Sequence, residues 1–275
     1  MTLPAIDHLV LDVGEDLDAA AEAFRALGFD LTARGHHTLG SSNHLAMFAT
    51  NYLELLSPGR PGGTVRQELL GFPSGLNGLV FATADADARY RDLQARGIGV
   101  REPQSFARPV TLADGATHDA RFRTTHLNRE EVPFGRLYFC QHFTRELVWR
   151  PEWQRHPNGA QEISRLVISA DNPDAVAALL TRMFADVPAG DPARGLRFAA
   201  GGAAIEIVSH ATIAALLGNA APDAAGRSAF LALIRLKTTS LQQARNIIGT
   251  HGTLRDRHLL VPANAAGNVA IEFEE

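Results

Sequence analysis

One order of elements recurs four times along this chain of 275 residues, and it constrains the fold more than any single motif. Ile6–Val13 (IDHLVLDV) is apolar and β-branched, the composition of a strand. Asp16 can cap the helix that follows, the run to Leu27 has helical composition, and Gly28 closes it. Phe29–Ala33, Leu45–Ala49 and Tyr52–Leu56 then read as strands. The order returns with strand Leu79–Ala84, helix Asp85–Arg96 and late strand Arg136–His142. It returns again with Ile163–Ala170, Asp174–Phe184 and Ala204–Ser209, and finally with Leu231–Leu236, Leu241–Ile248 and Asn268–Glu274. Three late strands share an apolar-Glu-apolar centre: Leu53-Glu54-Leu55, Ile205-Glu206-Ile207 and Ile271-Glu272-Phe273. The predicted fold class is α+β, built from four βαβββ modules.

The turn-rich segment Pro151–Gln161 (PEWQRHPNGAQ) leaves two modules on each side. The expected domains are residues 1–155, carrying a metal site, and residues 156–275, without one. The longest irregular stretch, Arg101–Pro133, reads as a loop plus a hairpin that could cover a site. Gly190–Gly202 and Gly218–Gly226 read as surface loops.

Composition mainly excludes. A formal charge of −4 offers no basic excess for nucleic acid. The single cysteine, Cys140, rules out an intramolecular disulfide and a Cys-rich zinc site and fits a cytoplasmic setting. The opening MTLPAIDHLV has no signal-peptide pattern, and no apolar run reaches the ~18 residues of a membrane span. There is no GxGxxG after a strand, no phosphate-binding Gly-Lys-Ser/Thr loop, no GxSxG elbow and no HExxH. The expected partner is a small-molecule substrate, and the chain is expected to be a monomer or homodimer.

Strand parity selects the chemistry, because side chains two apart share a face. His8 lies on one face of the first strand with Ile6, Val10 and Asp12. Glu54 shares a face with Tyr52 and Leu56, and His142 with Tyr138 and Cys140. Each occupies a strand position where an apolar residue would cost less, and a carboxylate between Leu53 and Leu55 needs a partner if buried. Two imidazoles and one carboxylate suit a single divalent ion, Fe2+, Zn2+, Ni2+ or Mn2+, with positions left open for substrate. Taken singly, each has a plain reading as a hydrogen-bonded core residue.

These residues also carry a resemblance. Asp7-His8-Leu9-Val10, Asp16-Leu17-Asp18-Ala19-Ala20, Leu27-Gly28-Phe29, Arg34-Gly35-His36, Tyr52-Leu53-Glu54-Leu55, Gln141-His142 through Trp149 and His156-Pro157-Asn158-Gly159-Ala160 resemble the vicinal oxygen chelate superfamily, and within it the glyoxalase-like domain proteins. The resemblance spans roughly residues 4–160. It implies paired modules of the glyoxalase/bleomycin-resistance/dioxygenase type, each pair curling around a metal, with His8, Glu54 and His142 as ligands. It also implies lyase, isomerase or ring-cleaving dioxygenase chemistry on a substrate with vicinal oxygens. The alternative is a non-catalytic protein that sequesters small molecules, as bleomycin-resistance relatives do. The sequence departs from the four-ligand lyase pattern: Gly78 stands where the second module should supply a ligand. In the C-terminal pair, Arg165 takes the place of His8 and Glu206 that of Glu54, which predicts a salt bridge in place of a metal.

Other residues complete the candidate site. Glu54 is expected to act in catalysis, and His36 is the candidate general base among His36, His37 and His44. The plain reading of those histidines is a solvated turn. Tyr52, Asn43, Trp149 and Arg101 are candidate substrate contacts. Trp149, with Trp153 and His156, either walls the pocket or pins the linker, and the stiffness of Pro151 and Pro157 favours pinning. Arg101, Arg108, Arg121 and Arg123 could meet a carboxylate or phosphate, or be solvated. Asn158-Gly159 reads as a turn, and Cys140 as a buried, inert thiol.

Overall fold

The computed structural model describes residues 3–59, 65–112, 114–191 and 195–275. The first module comprises β1 (Ile6–Asp12), α1 (Leu17–Ala26), β2 (Gly35–His36), β3 (Ser42–Met47) and β4 (Tyr52–Ser57). The second comprises β5 (Gly75–Ala82), α2 (Ala86–Ala95), β6 (Gln104–Thr111), β7 (Thr117–His126) and β8 (Arg136–His142). The third comprises β9 (Ala160–Ala170), α3 (Pro173–Phe184), β10 (Ala189–Asp191), β11 (Gly195–Ala200) and β12 (Ala203–Ser209). After α4 (His210–Leu217), the fourth comprises β13 (Ala229–Thr238), α5 (Leu241–Ile248), β14 (Thr253–Arg255), β15 (His258–Val261) and β16 (Ala270–Glu274). The α+β fold of four βαβββ modules is therefore the observed one.

The helices begin where the sequence supplies an acceptor. The side chains of Asp16, Asp85, Asn172 and Ser240 accept from the amides of Ala19, Ala88, Ala175 and Gln243 at 2.9, 2.9, 3.1 and 3.2 Å. Two stretches differ from expectation and one meets it. Phe29–Ala33 is not a strand: Thr32 gives its N–H to Leu45 O at 3.0 Å, and the short edge strand falls at Gly35–His36. Arg101–Pro133 is mostly the expected hairpin, the long β6–β7 pair, with Arg108 turned into the cavity and Asp119 and Arg121 facing solvent. Gly190–Gly202 carries the β10–β11 pairing, with residues 192–194 outside the described residues.

Each pair of modules forms one eight-stranded sheet, ordered β2-β3-β4-β1-β5-β8-β7-β6 in the first half and β10-β11-β12-β9-β13-β16-β15-β14 in the second. The central strands of each half, β1 with β5 and β9 with β13, run antiparallel, while the first and fourth strands within a module run parallel. The first sheet curls until its far ends touch, where Thr38 donates its N–H to Ala107 O at 3.3 Å. Alternation then divides the side chains. Leu9, Leu11, Leu53, Leu55, Phe81 and Phe139 point outward to the helices, into a core that continues through α3 and the second sheet. Phe81 meets Phe184 with ring centroids 5.2 Å apart, and Phe29 meets Phe273 at 6.0 Å. Val10, Tyr52, Val80, Tyr138 and Cys140 pack together on the other, concave side.

The linker is fastened to the first half. His156 donates from Nε2 to Met47 O at 2.8 Å and accepts at Nδ1 from the Asp30 N–H at 3.0 Å. Asn158 does more than turn the chain: its side chain donates to Leu27 O at 2.9 Å and accepts from the Ala160 N–H at 3.0 Å. Among the described residues no helix is long and apolar enough to cross a membrane.

Candidate functional site

The curled first sheet surrounds a cavity lined by His8, His37, Asn43, Tyr52, Glu54 and Tyr138. His8 enters it from β1, and a bulge just before it decides how the ring is held. The pairing of β1 with β5 slips between Ile6 and His8, and Asp7 comes to lie beside the imidazole instead of behind the sheet. Asp7 Oδ2 sits 2.7 Å from His8 Nδ1 and 3.0 Å from His142 Nε2. Burial would raise the Asp7 pKa, but the imidazoles of His142 and His8 outweigh it and hold the carboxyl far below the usual range. An ionised Asp7 can only accept, so His8 carries its proton on Nδ1 and leaves Nε2 as an acceptor. Nε2 lies 3.1 Å from the Tyr138 hydroxyl, which donates to it, and 3.8 Å from Glu54 Oε2. Tyr52 stacks on the His8 ring at 4.3 Å with 10° between planes, fixing its tilt.

Glu54 faces His8 from β4. Its Oε1 accepts from the Asn43 carboxamide at 2.6 Å and lies 3.8 Å from His37 Nε2. Burial would raise the Glu54 pKa, yet His37, His8, the Asn43 bond and Arg136 together lower it. His37 is moved the other way: burial, with Arg108 and Arg66, overcomes the pull of Glu54 and brings its pKa down to about 4. At neutral pH the site therefore holds an anionic Glu54 beside a neutral His37.

The sequence-predicted residues fall into distinct places. His8, Glu54, Asn43 and Tyr52 come together in the cavity. His142 does not reach that group: Asp7 stands between it and His8, and its buried Nδ1 has no hydrogen-bond partner. His36 is exposed and bonds Ser42 Oγ at 2.9 Å, so the histidine lining the cavity is its neighbour His37. Trp149 neither pins the linker nor lines the cavity. It packs edge-on against Tyr52 and His142, at 5.4 and 5.1 Å. Arg101 is exposed on a surface depression near His126, and Arg108 reaches the cavity instead. Cys140 is buried, and its burial raises the thiol far above its ordinary pKa, as expected for an inert thiol.

Strand register adds one residue that sequence parity left unassigned. In the first module, Val10 pairs with Glu54, two residues beyond His8; in the second, Val80 pairs with Tyr138, two residues beyond Gly78. The counterpart of Glu54 is thus Tyr138, and its hydroxyl is what meets His8. The counterpart of His8 is Gly78, where an added Cβ would lie 2.7 Å from Val10 Cβ. Among the described residues, Asp7, Cys140 and His142 are grouped with ligand atoms all within 4.8 Å of one another.

The glyoxalase-like domain family matches residues 6–184, about two thirds of the chain. The chain belongs to the glyoxalase-like domain family. A hypothetical protein from Staphylococcus aureus aligns over 99% of both chains at 12% identity and a TM-score of 0.68. A mutant 4-hydroxymandelate synthase from Streptomyces coelicolor aligns over 99% of this chain and 92% of its own at 8% identity and a TM-score of 0.61. A fusion of a xylose isomerase-like TIM barrel with 4-hydroxyphenylpyruvate dioxygenase aligns over 99% of this chain and 48% of its own, at 11% identity and a TM-score of 0.61. At these identities the likeness is one of fold. A search of the curated proteins finds no match.

The C-terminal sheet of this glyoxalase-like protein holds its corresponding strand acids, Glu206 and Glu272, in ion pairs. Arg165 meets Glu206 at 3.1 Å, as the sequence predicted. Arg235 donates from Nε and Nη2 to Glu272 Oε2, at 2.9 and 2.6 Å. Each acid there has a guanidinium, whereas Glu54 is held by a neutral carboxamide and faces two imidazoles.

Proposed function

We propose that the protein is a metal-dependent enzyme of glyoxalase-like type, acting in the N-terminal cavity on a small molecule with vicinal oxygens. The observation that carries the reading is that His8 Nε2 and Glu54 Oε2 face each other across 3.8 Å, with no guanidinium between them. The donor set fits the group. A carboxylate on the far nitrogen is the arrangement that orients a metal-binding histidine and raises its basicity, and Asp7 supplies it. One imidazole and one carboxylate, with the Tyr138 hydroxyl beside them, form an open set suited to a borderline divalent ion such as Fe2+, Zn2+, Ni2+ or Mn2+.

A bound ion would supply Lewis acidity toward the two substrate oxygens. The rest belongs to the chain's own residues. Asp7 fixes the His8 tautomer and Tyr52 its plane. Asn43 locks Glu54 Oε1, so Oε2 is the oxygen free to turn toward the ligand. The neutral His37, tied through Nδ1 to Ser41 Oγ at 2.9 Å, can take a proton at Nε2 beside Glu54. Tyr138, held protonated because burial raises its pKa far above the ordinary value, can donate to an oxyanion. This proton-handling set favours isomerase or lyase chemistry, with ring cleavage by oxygen as the other outcome of the same donor set.

A second reading is favoured by one observation: the Tyr138 hydroxyl donates to His8 Nε2, the atom that would hold the ion. That is the expectation for a cavity that sequesters a small molecule. Titration of the metal-free protein with Zn2+, Mn2+, Ni2+ and anaerobic Fe2+ separates the two. The enzyme reading expects one ion to bind at one equivalent, with affinity falling about a hundred-fold in His8→Ala and in Glu54→Gln. Binding that survives both substitutions, or no binding at all, rejects it.

A further inference from the structure

The wall of the cavity holds a guanidinium that lies over the Tyr138 ring, 5.9 Å from its centroid, with donors the metal set does not use. Arg136 opens β8 and lines the cavity at the level of Glu54, because Arg136 pairs with Gly78, Gly78 with Val10 and Val10 with Glu54 across four neighbouring strands. The side chain is 92% buried, being 8% exposed. Both Nε and Nη2 of its guanidinium are shielded from solvent and have no hydrogen-bond partner. These two nitrogens form a single edge of the planar group, the side-on edge whose parallel N–H bonds match the two oxygens of a carboxylate. Buried polar groups are nearly always satisfied, and one left open in a cavity points to a missing partner.

Two further observations bear on what that partner is. The C-terminal sheet presents the same edge filled: Arg235 gives Nε and Nη2 to the Glu272 carboxylate. The charge balance around the cavity points the same way. Arg108 and Arg136 line it, and among the described lining residues the only carboxylate is Glu54, which is already committed to Asn43 and the imidazoles.

We infer that the substrate of this cavity is a carboxylate, its anionic end held side-on by Nε and Nη2 of Arg136 and its oxygenated end turned toward His8 and Glu54. The inference rests on the proposed function only in taking this cavity as the substrate site; the anion contact itself needs no metal. Its test uses the full-length protein and calorimetric titration with lactate, malonate and succinate, alongside lactamide, malonamide and inorganic phosphate. The expected result is saturable binding of at least one carboxylate, with its amide at least ten-fold weaker. Arg136→Gln should weaken that carboxylate at least ten-fold, Arg136→Lys should recover part of the loss, and circular dichroism should be unchanged in both. Equal binding of acid and amide, phosphate binding without carboxylate binding, no carboxylate binding at all, or carboxylate binding indifferent to Arg136→Gln each overturns the inference. Metal uptake in the same preparations tells the two proposals apart. Arg136-dependent carboxylate binding in a protein that takes up no metal would leave this inference standing and the metal enzyme rejected. Metal uptake without carboxylate binding would do the reverse.

Discussion

At Asp7 a single carboxylate oxygen accepts from two imidazoles, and this one contact determines what His8 offers the cavity. With Nδ1 protonated, His8 presents the Nε2 lone pair; with the other tautomer it would present an N–H and could not ligate. Asp7→Asn keeps the size but can present an N–H toward Nδ1, which removes the bias toward the ligating tautomer. Metal affinity is expected to fall about ten- to a hundred-fold, the range for loss of such a supporting carboxylate. Nitrogen NMR of the His8 ring should show the Nδ1–H form losing its majority. Unchanged affinity with unchanged tautomer would show that Asp7 serves only His142. His8 and Glu54 were legible in the sequence because each interrupts an apolar strand, and parity is enough to detect that. Asp7 was not, because parity turns it away from His8 and a bulge leaves no mark in composition. Arg136 was not, because an arginine opening a strand looks solvated until the curled sheet buries it.

Register between β1 and β5 explains the ligand that is absent. The two strands run so close at Val10 and Gly78 that a Cβ on residue 78 would lie 2.7 Å from Val10 Cβ and 2.8 Å from Val10 Cγ2. Neither atom belongs to a flexible tip, so a histidine at 78 is excluded before its imidazole is considered. Gly78→Ala is expected to destabilise the fold by about 1–3 kcal/mol through overpacking. Gly202→Ala, where an added methyl meets nothing within 4 Å, should change stability by less than about 0.5 kcal/mol. Urea denaturation of the two variants checks the contrast, and equal stability would show that β1 and β5 can separate freely. The order of elements was legible because each module repeats cap, helix and apolar strand, with a glycine stop in three of the four. The edges were not. β2 is two residues long, and β6–β7 is held by pairing and curl with little apolar patterning, so the hairpin could be read but its strand bounds could not.

The two sheets share one core, and the segment that joins them is part of it. The turn-forming composition of Pro151–Gln161 announced a boundary, but it could not announce that His156 would be drawn under Phe29 and Phe48, with ring centroids 5.8 and 5.1 Å away. Nor could it show that Asn51 would bracket Ile163, donating to its carbonyl at 3.1 Å and accepting from its N–H at 2.9 Å. Both are long-range consequences of packing one half on the other. The His156 contact has a pH signature. Its Nδ1 must accept from Asp30 while its Nε2 donates to Met47, which only the neutral ring can do. Burial lowers its pKa from the ordinary value of about 6.5, against the smaller opposing pulls of the Met47 bond and Asp30. Below that ordinary value the unfolded chain binds a proton that the folded chain resists. This contribution is therefore fully present above about pH 6.5 and is lost as the pH falls toward the lowered folded value, by up to about 1.4 kcal/mol per pH unit. His156→Gln removes the titration along with the bonds. The variant should be less stable than the parent by about 1–3 kcal/mol at pH 7.5, and the gap should narrow steadily as denaturation is repeated down to pH 5. A gap that stays constant or widens with acidity would show that His156 is protonated in the folded linker and that the two halves are not joined through its neutral ring.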